Sequence, residues 1–262
     1  MFKFCSLYSG STGNSSLIQT ENTKILIDCG ESAKKIVEAL NSINIDPSQI
    51  NAILVTHEHS DHIKGIGVFS KKYNIPVYAN IETWNAMKIQ KDKIDKKNIK
   101  YFNFEKFNIG DISILPFSIP HDASNPCGFN IFYKNKKISI ATDIGHMTTE
   151  IVDKLSNSSF ILLESNYDPN ILQCSSYPYP LKKRISGPNG HLSNDDASQT
   201  ILHLINHGLN TVMLGHLSKE NNFPELAYKT VVEKIIENNI NEDLFKLTVA
   251  DRYSVSPMID II

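Results

Sequence analysis

Polar and apolar positions alternate over short stretches at the start of the chain, with the period of strands. Residues 2–8, 16–20 and 24–29 predict three strands, and Gly, Ser and Asn turns separate the first two. Ile36, Val37 and Leu40 recur at helical spacing and predict a helix over about 32–42. Residues 52–56 (Ala-Ile-Leu-Val-Thr) are apolar without alternation, the pattern of a strand buried on both faces. A histidine cluster follows directly, then a helix over 63–73 and a strand at 76–79. The middle is strand-rich, with runs at 100–104, 111–119 and 129–133, and a fourth at 137–142 that pairs across a turn at 134–136. Residues 160–164 read as another buried strand. Helix 194–207 follows, with Ser193 or Asn194 as N-cap, then strand 211–215, helix 225–238 and a last strand at 244–250. Two strand-rich halves, each followed by helices, predict two mixed sheets packed face to face with helices outside. This is a four-layer αββα sandwich, one α/β domain over residues 1–262.

Composition narrows the class without naming a function. The 262 residues are 41% hydrophobic and 21% charged, which excludes collagen-like, disordered and disulfide-scaffold proteins. Lys and Arg number 26 against 28 Asp and Glu, so a protein that coats nucleic acid with uniform positive charge is excluded, and a local basic stripe is not. Arg occurs only at 184 and 252, a bias expected of an AT-rich bacterial genome. Cys5, Cys29, Cys127 and Cys174 form no CxxC pair and read as reduced, buried thiols in a cytoplasmic protein. The first residues turn polar too early for a signal peptide, and no apolar run reaches the roughly 18 residues of a membrane span.

Nine histidines stand out against this ordinary background. The run Thr56-His57-Glu58-His59-Ser60-Asp61-His62 follows a buried strand and places three imidazoles and a carboxylate within six residues. His57 and His59 can converge on one cation while Asp61 and His62 reach a neighbouring one. Neutral imidazole and carboxylate are ligands for borderline divalent ions. Later strands end at His121, Asp143 and His216, so all three could share the same rim. A carboxylate such as Asp143 can hold one ion on each oxygen at the ~3.5–4 Å spacing of two-metal sites.

These motifs resemble those of metallo-β-lactamase-fold hydrolases, and in particular the YycJ/WalJ subgroup of bacterial exonucleases. The likeness runs over nearly the whole chain. It includes Ser9-Gly-Ser-Thr-Gly-Asn-Ser15, Leu26-Ile-Asp-Cys-Gly30, the HxHxDH run, Pro120-His-Asp-Ala123 and Ala141-Thr-Asp-Ile-Gly145. It continues through Leu163-Glu-Ser-Asn166, Gly190-His-Leu-Ser-Asn194 and Gly215-His-Leu-Ser-Lys-Glu-Asn-Asn222. Cys29 and Tyr167 depart from the pattern, and neither is a ligand position. The resemblance implies the αββα fold and two divalent ions, for which the His and Asp donors suit Zn or Mn foremost and Fe after them. It implies one metal site of His57, His59 and His121, a second of Asp61, His62 and His216, and Asp143 as the bridge. The implied activity is 5′→3′ digestion of double-stranded DNA, with Asp61 also orienting the attacking water.

Further roles follow from position. His191 precedes a helix N-terminus, where it could contact a phosphate or protonate the leaving oxygen. Lys182, Lys183 and Arg184 come shortly before it and could contact phosphates, as could Lys219 beyond His216. The run 10–15 lacks the Gly-Lys-Ser/Thr ending of a phosphate loop and reads as a turn near the rim, with Asn14 and Ser15 bonded to backbone. His146, His203 and His207 read as histidines without chemistry. Two other functions compete with the nuclease: hydrolysis of a small ester, thioester, lactam or cyclic phosphodiester on the same metals, and an interaction protein whose metals are structural. Only 73 positions separate Asp143 from His216, too few for the large insertion of RNase J and CPSF relatives, and no basic arm of the RNase Z kind is visible.

Overall fold

The computed structural model describes residues 1–241 and 245–261. Strands β1 (Phe2–Tyr8), β2 (Ser15–Thr20), β3 (Lys24–Ile27), β4 (Ala52–Leu54), β5 (Val77–Ala79) and β6 (Ile99–Tyr101) lie side by side in chain order. A second sheet repeats this plan with β7 (Phe107–Ile109), β8 (Ile112–Ser118), β9 (Cys127–Tyr133), β10 (Lys136–Ala141), β11 (Phe160–Glu164), β12 (Thr211–Gly215) and β13 (Lys246–Val249). Strand β14 (Ile259–Asp260) returns to the first sheet beside β1, so each sheet has seven strands. Each sheet is antiparallel at first and then parallel. The change falls at β3 in one and at β10 in the other.

Side-chain alternation explains the continuous apolar runs. Ala52 and Leu54 enter the core between the sheets, while Ile53 and Val55 face the helices outside the first sheet. In β11, Phe160 and Leu162 point into the shared core, and Ile161 and Leu163 meet the outer helices of the second sheet. Both faces are covered, so neither can be polar. The helix Ala33–Ser42 buries Ile36, Ala39 and Leu40, and the Ser32 hydroxyl caps it. On the opposite side, Asn194–Ile205 and Pro224–Glu237 bury Ile201, Leu204, Val231 and Ile235. Helix, sheet, sheet and helix follow one another, the αββα order expected from the sequence.

Several boundaries differ for local reasons. The strand expected over 24–29 stops at Ile27 because Asp28 takes a left-handed backbone, φ 60°. The helix expected over 63–73 is two helices, Ser60–Ile63 and Ile66–Tyr73. Gly65 breaks it: its N–H donates to Cys29 O (2.9 Å), and a Cβ there would lie 2.2 Å from Glu31 O. The turn at 134–136 is a two-residue turn, since Lys136 already pairs with Tyr133. Of the last expected strand, 244–250, Leu244 lies outside the described residues and β13 occupies 246–249. The edge strands β7 and β14 carry too few residues for a periodic signal. The short helices Ile81–Ala86, Thr149–Leu155, Pro169–Cys174 and Tyr179–Ile185 carry no clear periodic signal either. Cys5, Cys29 and Cys127 are buried as expected. Cys174 is exposed, because it ends a short surface helix. Among the described residues, no helix is long and apolar enough to cross a membrane.

Candidate metal centre

Parallel strands leave their C-terminal ends on one side, where loops can meet over the sheet. The loop after β4 carries His57, His59, Asp61 and His62. Asp28, just beyond β3, lies beneath this loop with its carboxylate buried. It accepts the Thr56 N–H (2.9 Å), the Thr56 hydroxyl (2.8 Å) and the His62 Nδ1–H (2.8 Å). The Thr56 Oγ1 in turn lies 3.0 Å from His57 Nδ1. These bonds commit the Nδ1 atoms and leave Nε2 of both rings for the site. Gly30 allows the close approach: a Cβ there would lie 1.6 Å from Asp61 O. Asn14, in the turn after β1, reaches both Asp61 Oδ2 (3.4 Å) and His62 Nε2 (3.1 Å).

The second sheet supplies its groups one loop at a time. His121 follows β8 and donates Nδ1–H to Gly190 O (2.9 Å). Asp143 follows β10 and His216 follows β12, both with left-handed backbones (φ 60° and 56°). Positive φ at a non-glycine residue costs about 1–2 kcal/mol, and its recurrence at this rim marks positions where orientation outweighs local comfort. The His216 N–H is held by Ser9 Oγ (2.8 Å). Glu164, the last residue of β11, is fully buried and acts twice. Its Oε1 accepts from His191 Nδ1 and His216 Nδ1, both at 2.8 Å, and its Oε2 accepts the N–H groups of Ile144 (2.7 Å) and Leu192 (3.1 Å).

The two sides converge on Asp143. His62 Nε2 lies 3.3 Å from its Oδ2, and His216 Nε2 and His121 Nε2 lie 3.5 Å and 3.7 Å from its Oδ1. Asp61 Oδ2 stands 3.6 Å from both His62 Nε2 and His216 Nε2, and His59 Nδ1 is 3.3 Å from His121 Nε2. Within each of three groupings the donor atoms lie within 4.8 Å of one another: His57, His59 and His121; His57, His62 and Asp143; and Asp61, His62 and His216. His57 Nε2, His216 Nε2 and Asp143 Oδ2 are buried and have no hydrogen-bond partner among the described residues. An unpartnered buried polar atom costs about 1–3 kcal/mol, so three within one cluster call for partners that the protein itself does not supply. The nitrogen and carboxylate donors suit a divalent cation.

Protonation within the protein alone follows its charges. Burial would lower the His62 pKa, but Asp143, Asp28 and Asp61 outweigh it and raise it to about 9. Burial works against His216 too, and Asp143, Asp61 and Glu164 raise it well above the ordinary imidazole value. His57 goes the other way: burial lowers its pKa, and the neighbouring imidazoles lower it further. Burial would raise the Glu164 carboxyl, but His191 and His216 hold it below its usual range. A cation entering here would displace protons from His62 and His216 and would find His57 already neutral.

All seven residues expected as ligands therefore meet in one place. His191 borders them, its ring 5.1 Å from that of His121 and 5.3 Å from that of His216, with its side chain 16% exposed. The basic run behaves less uniformly. Arg184, expected to face phosphates, forms a two-bonded ion pair with Asp122 (2.5 and 3.1 Å), the neighbour of His121. Its fork fits a carboxylate as well as it would a phosphate, and the nearer anion holds it. Lys182 donates to Gln173 O (2.7 Å), and Lys219 stays exposed near Glu220. The turn at 10–15 sits at the rim as expected, with Ser15 Oγ on Asp28 O (2.8 Å). His146 is exposed, with Nδ1 2.8 Å from Pro188 O, and His203, near the end of its helix, stacks on His207 in the turn beyond it, both exposed. The sequence alone assigns Asp28 and Glu164 no role. Each is a lone acid at the end of a buried apolar strand, and that placement is a usable signal.

The fold and site define a class, and comparison with known proteins agrees. Residues 8–216 match the metallo-beta-lactamase superfamily, and the chain belongs to it. The chain is 38% identical over 264 aligned positions to exodeoxyribonuclease WalJ of Streptococcus pneumoniae serotype 2 (strain D39), covering 99% of this chain and 98% of that protein. It is 37% identical over 236 positions to exodeoxyribonuclease YycJ of Bacillus anthracis, covering 89% of each. Among solved structures, the metallo-beta-lactamase fold protein YhfI of Bacillus subtilis superposes with a TM-score of 0.70. It is 14% identical and covers 98% of this chain and 100% of that one.

Proposed function

We propose that this chain is a dinuclear-metal phosphodiester hydrolase, a 5′→3′ exonuclease on double-stranded DNA that works in the cytoplasm. One observation carries the reading: imidazoles from both sheets surround the two oxygens of a single buried carboxylate, Asp143. Two near-full-length relatives named exodeoxyribonuclease support the choice of substrate. In this reading His57, His59 and His121 would hold one ion, Asp61, His62 and His216 would hold the other, and Asp143 would serve both. Bound there, two divalent ions (Zn or Mn, with Fe as a third candidate) would lower the pKa of water and neutralise charge on the phosphodiester.

The protein's own groups do the rest. Asp28 and Glu164 fix the Nδ1–H tautomers of His62 and His216. Asp61, one-fifth exposed, would also orient the attacking water. His191 is steadied through Nδ1 by Glu164, so its other nitrogen is free to contact the phosphate or give a proton to the leaving oxygen. Lys182, Lys183 and Lys219 hold more distant phosphates.

The test uses purified protein, Mn²⁺ or Zn²⁺, and duplex DNA labelled at either 5′ or 3′ ends. The wild type should release nucleotides from 5′ ends, and His121→Ala and Asp143→Ala should lose about 10³-fold or more in rate. No cleavage with any divalent metal, or equal cleavage by the variants, overturns the reading.

A further inference from the structure

The donors of the metal centre are buried: His57, His62, Asp143 and His216 are each at most 2% exposed. A phosphodiester inside an intact duplex cannot approach them closely. Its strand must first leave the helix, and unpairing and unstacking one nucleotide costs a few kcal/mol. A protein that does this repeatedly needs a surface that stabilises the freed base.

A cleft of about 510 Å³ beside helix Tyr179–Ile185 has the required chemistry. Its walls include Tyr167, Leu172, Gln173, Tyr179, Lys182 and Lys183, and no carboxylate lines it among the described residues. Tyr179 is 77% exposed, an unusual state for a large aromatic ring, and no other ring stacks on it among the described residues. Lys182 reaches across to Gln173 O (2.7 Å), which leaves the ammonium's other donors for an anion. An exposed ring with adjacent cations and no acid complements a base with its phosphate.

The cleft is tied to the rim through its chain neighbours. Tyr167 follows Asn166, whose amide donates to His216 O (2.7 Å), and Tyr167 O accepts the Asn194 N–H (2.9 Å). Lys183 precedes Arg184, which clasps Asp122 beside His121. Ile185 O, at the end of the same helix, accepts the His191 N–H (2.9 Å). The cleft's walls are thus linked by short hydrogen bonds to the segments that carry His121, His191 and His216.

We infer that this cleft is the subsite for an unstacked nucleotide of the cleaved DNA strand, with Tyr179 as its stacking face and Lys182 and Lys183 as its phosphate contacts. The inference rests on the nuclease reading above. It is tested by kcat/KM on duplex ends, intact or carrying an abasic site at the terminal or the adjacent position. Tyr179→Ala should lose about 10- to 100-fold on the intact end, the range of single base–aromatic stacks, and Tyr179→Trp should retain most of the activity. On the abasic end that removes the stacked base, wild type should fall by a similar factor and Tyr179→Ala should fall little further. Wild-type rates from Tyr179→Ala, or the same loss on intact and abasic ends, overturn the inference and leave the cleft to a protein partner or to none. A wild type that cleaves no DNA end overturns the nuclease reading itself, a result seen without any Tyr179 variant.

Discussion

The two sheets share one plan and use it in opposite ways. In each, the fourth strand from the antiparallel edge, β3 or β10, turns the pairing from antiparallel to parallel. An aspartate with left-handed backbone follows each within two residues: Asp28 and Asp143. In the first sheet that acid lies under the loop and orients His62, while the loop after the next strand, β4, brings four donors to the site. In the second sheet the equivalent acid enters the site, and the next strand, β11, ends in the supporting acid Glu164. Donor and support have exchanged places. One backbone device therefore serves either role, and the carboxylate's neighbours decide which. Asp28 is enclosed by Thr56 and one imidazole, and Asp143 by three imidazoles that leave one of its oxygens without a hydrogen bond.

Substitutions that separate the two supports should sharpen this contrast. The largest effect is expected at Glu164, which holds two imidazoles where Asp28 holds one. Outer carboxylates of metal-binding histidines contribute about 10- to 100-fold to metal affinity or activity. Glu164→Gln should fall at the upper end of that range, and Asp28→Asn nearer the lower, in metal titrations and in kcat/KM alike. Equal losses would mean that the number of imidazoles held does not matter. A smaller effect, on stability, is expected at Gly30. Any Cβ there meets backbone at both Asp61 O (1.6 Å) and Asn14 N (2.5 Å), so Gly30→Ala should cost about 1–3 kcal/mol in denaturant unfolding. An unchanged midpoint would show that the first sheet's loop is not pressed against Asp28–Gly30 as described.

The same contrast explains what was legible in the sequence. The first sheet's donors are contiguous because a single loop carries them, and HxHxDH announces itself. The second sheet's donors are spread from His121 to His216 and show in the sequence as polar residues ending apolar runs and through the family motifs around them. The supports were the hardest to see. Asp28 and Glu164 follow buried strands just as Asp143 does, and nothing in one sequence distinguishes an acid that binds from an acid that orients. The ion pair of Arg184 is illegible for a related reason: its partner Asp122 is 62 positions away, and only the fold brings the two together. The strand order and the four layers were readable because periodicity records burial on each face. The break at Gly65 was not, because it answers to a carbonyl on a distant loop.

The central claim is that both sheets complete one two-ion centre around Asp143. Counting bound metal tests it most directly, by elemental analysis of protein loaded with Zn²⁺ or Mn²⁺ and freed of excess. The wild type should hold about two ions per chain and Asp143→Ala clearly fewer. A wild type that retains none, or an Asp143→Ala protein that retains as many as the wild type, would contradict the account.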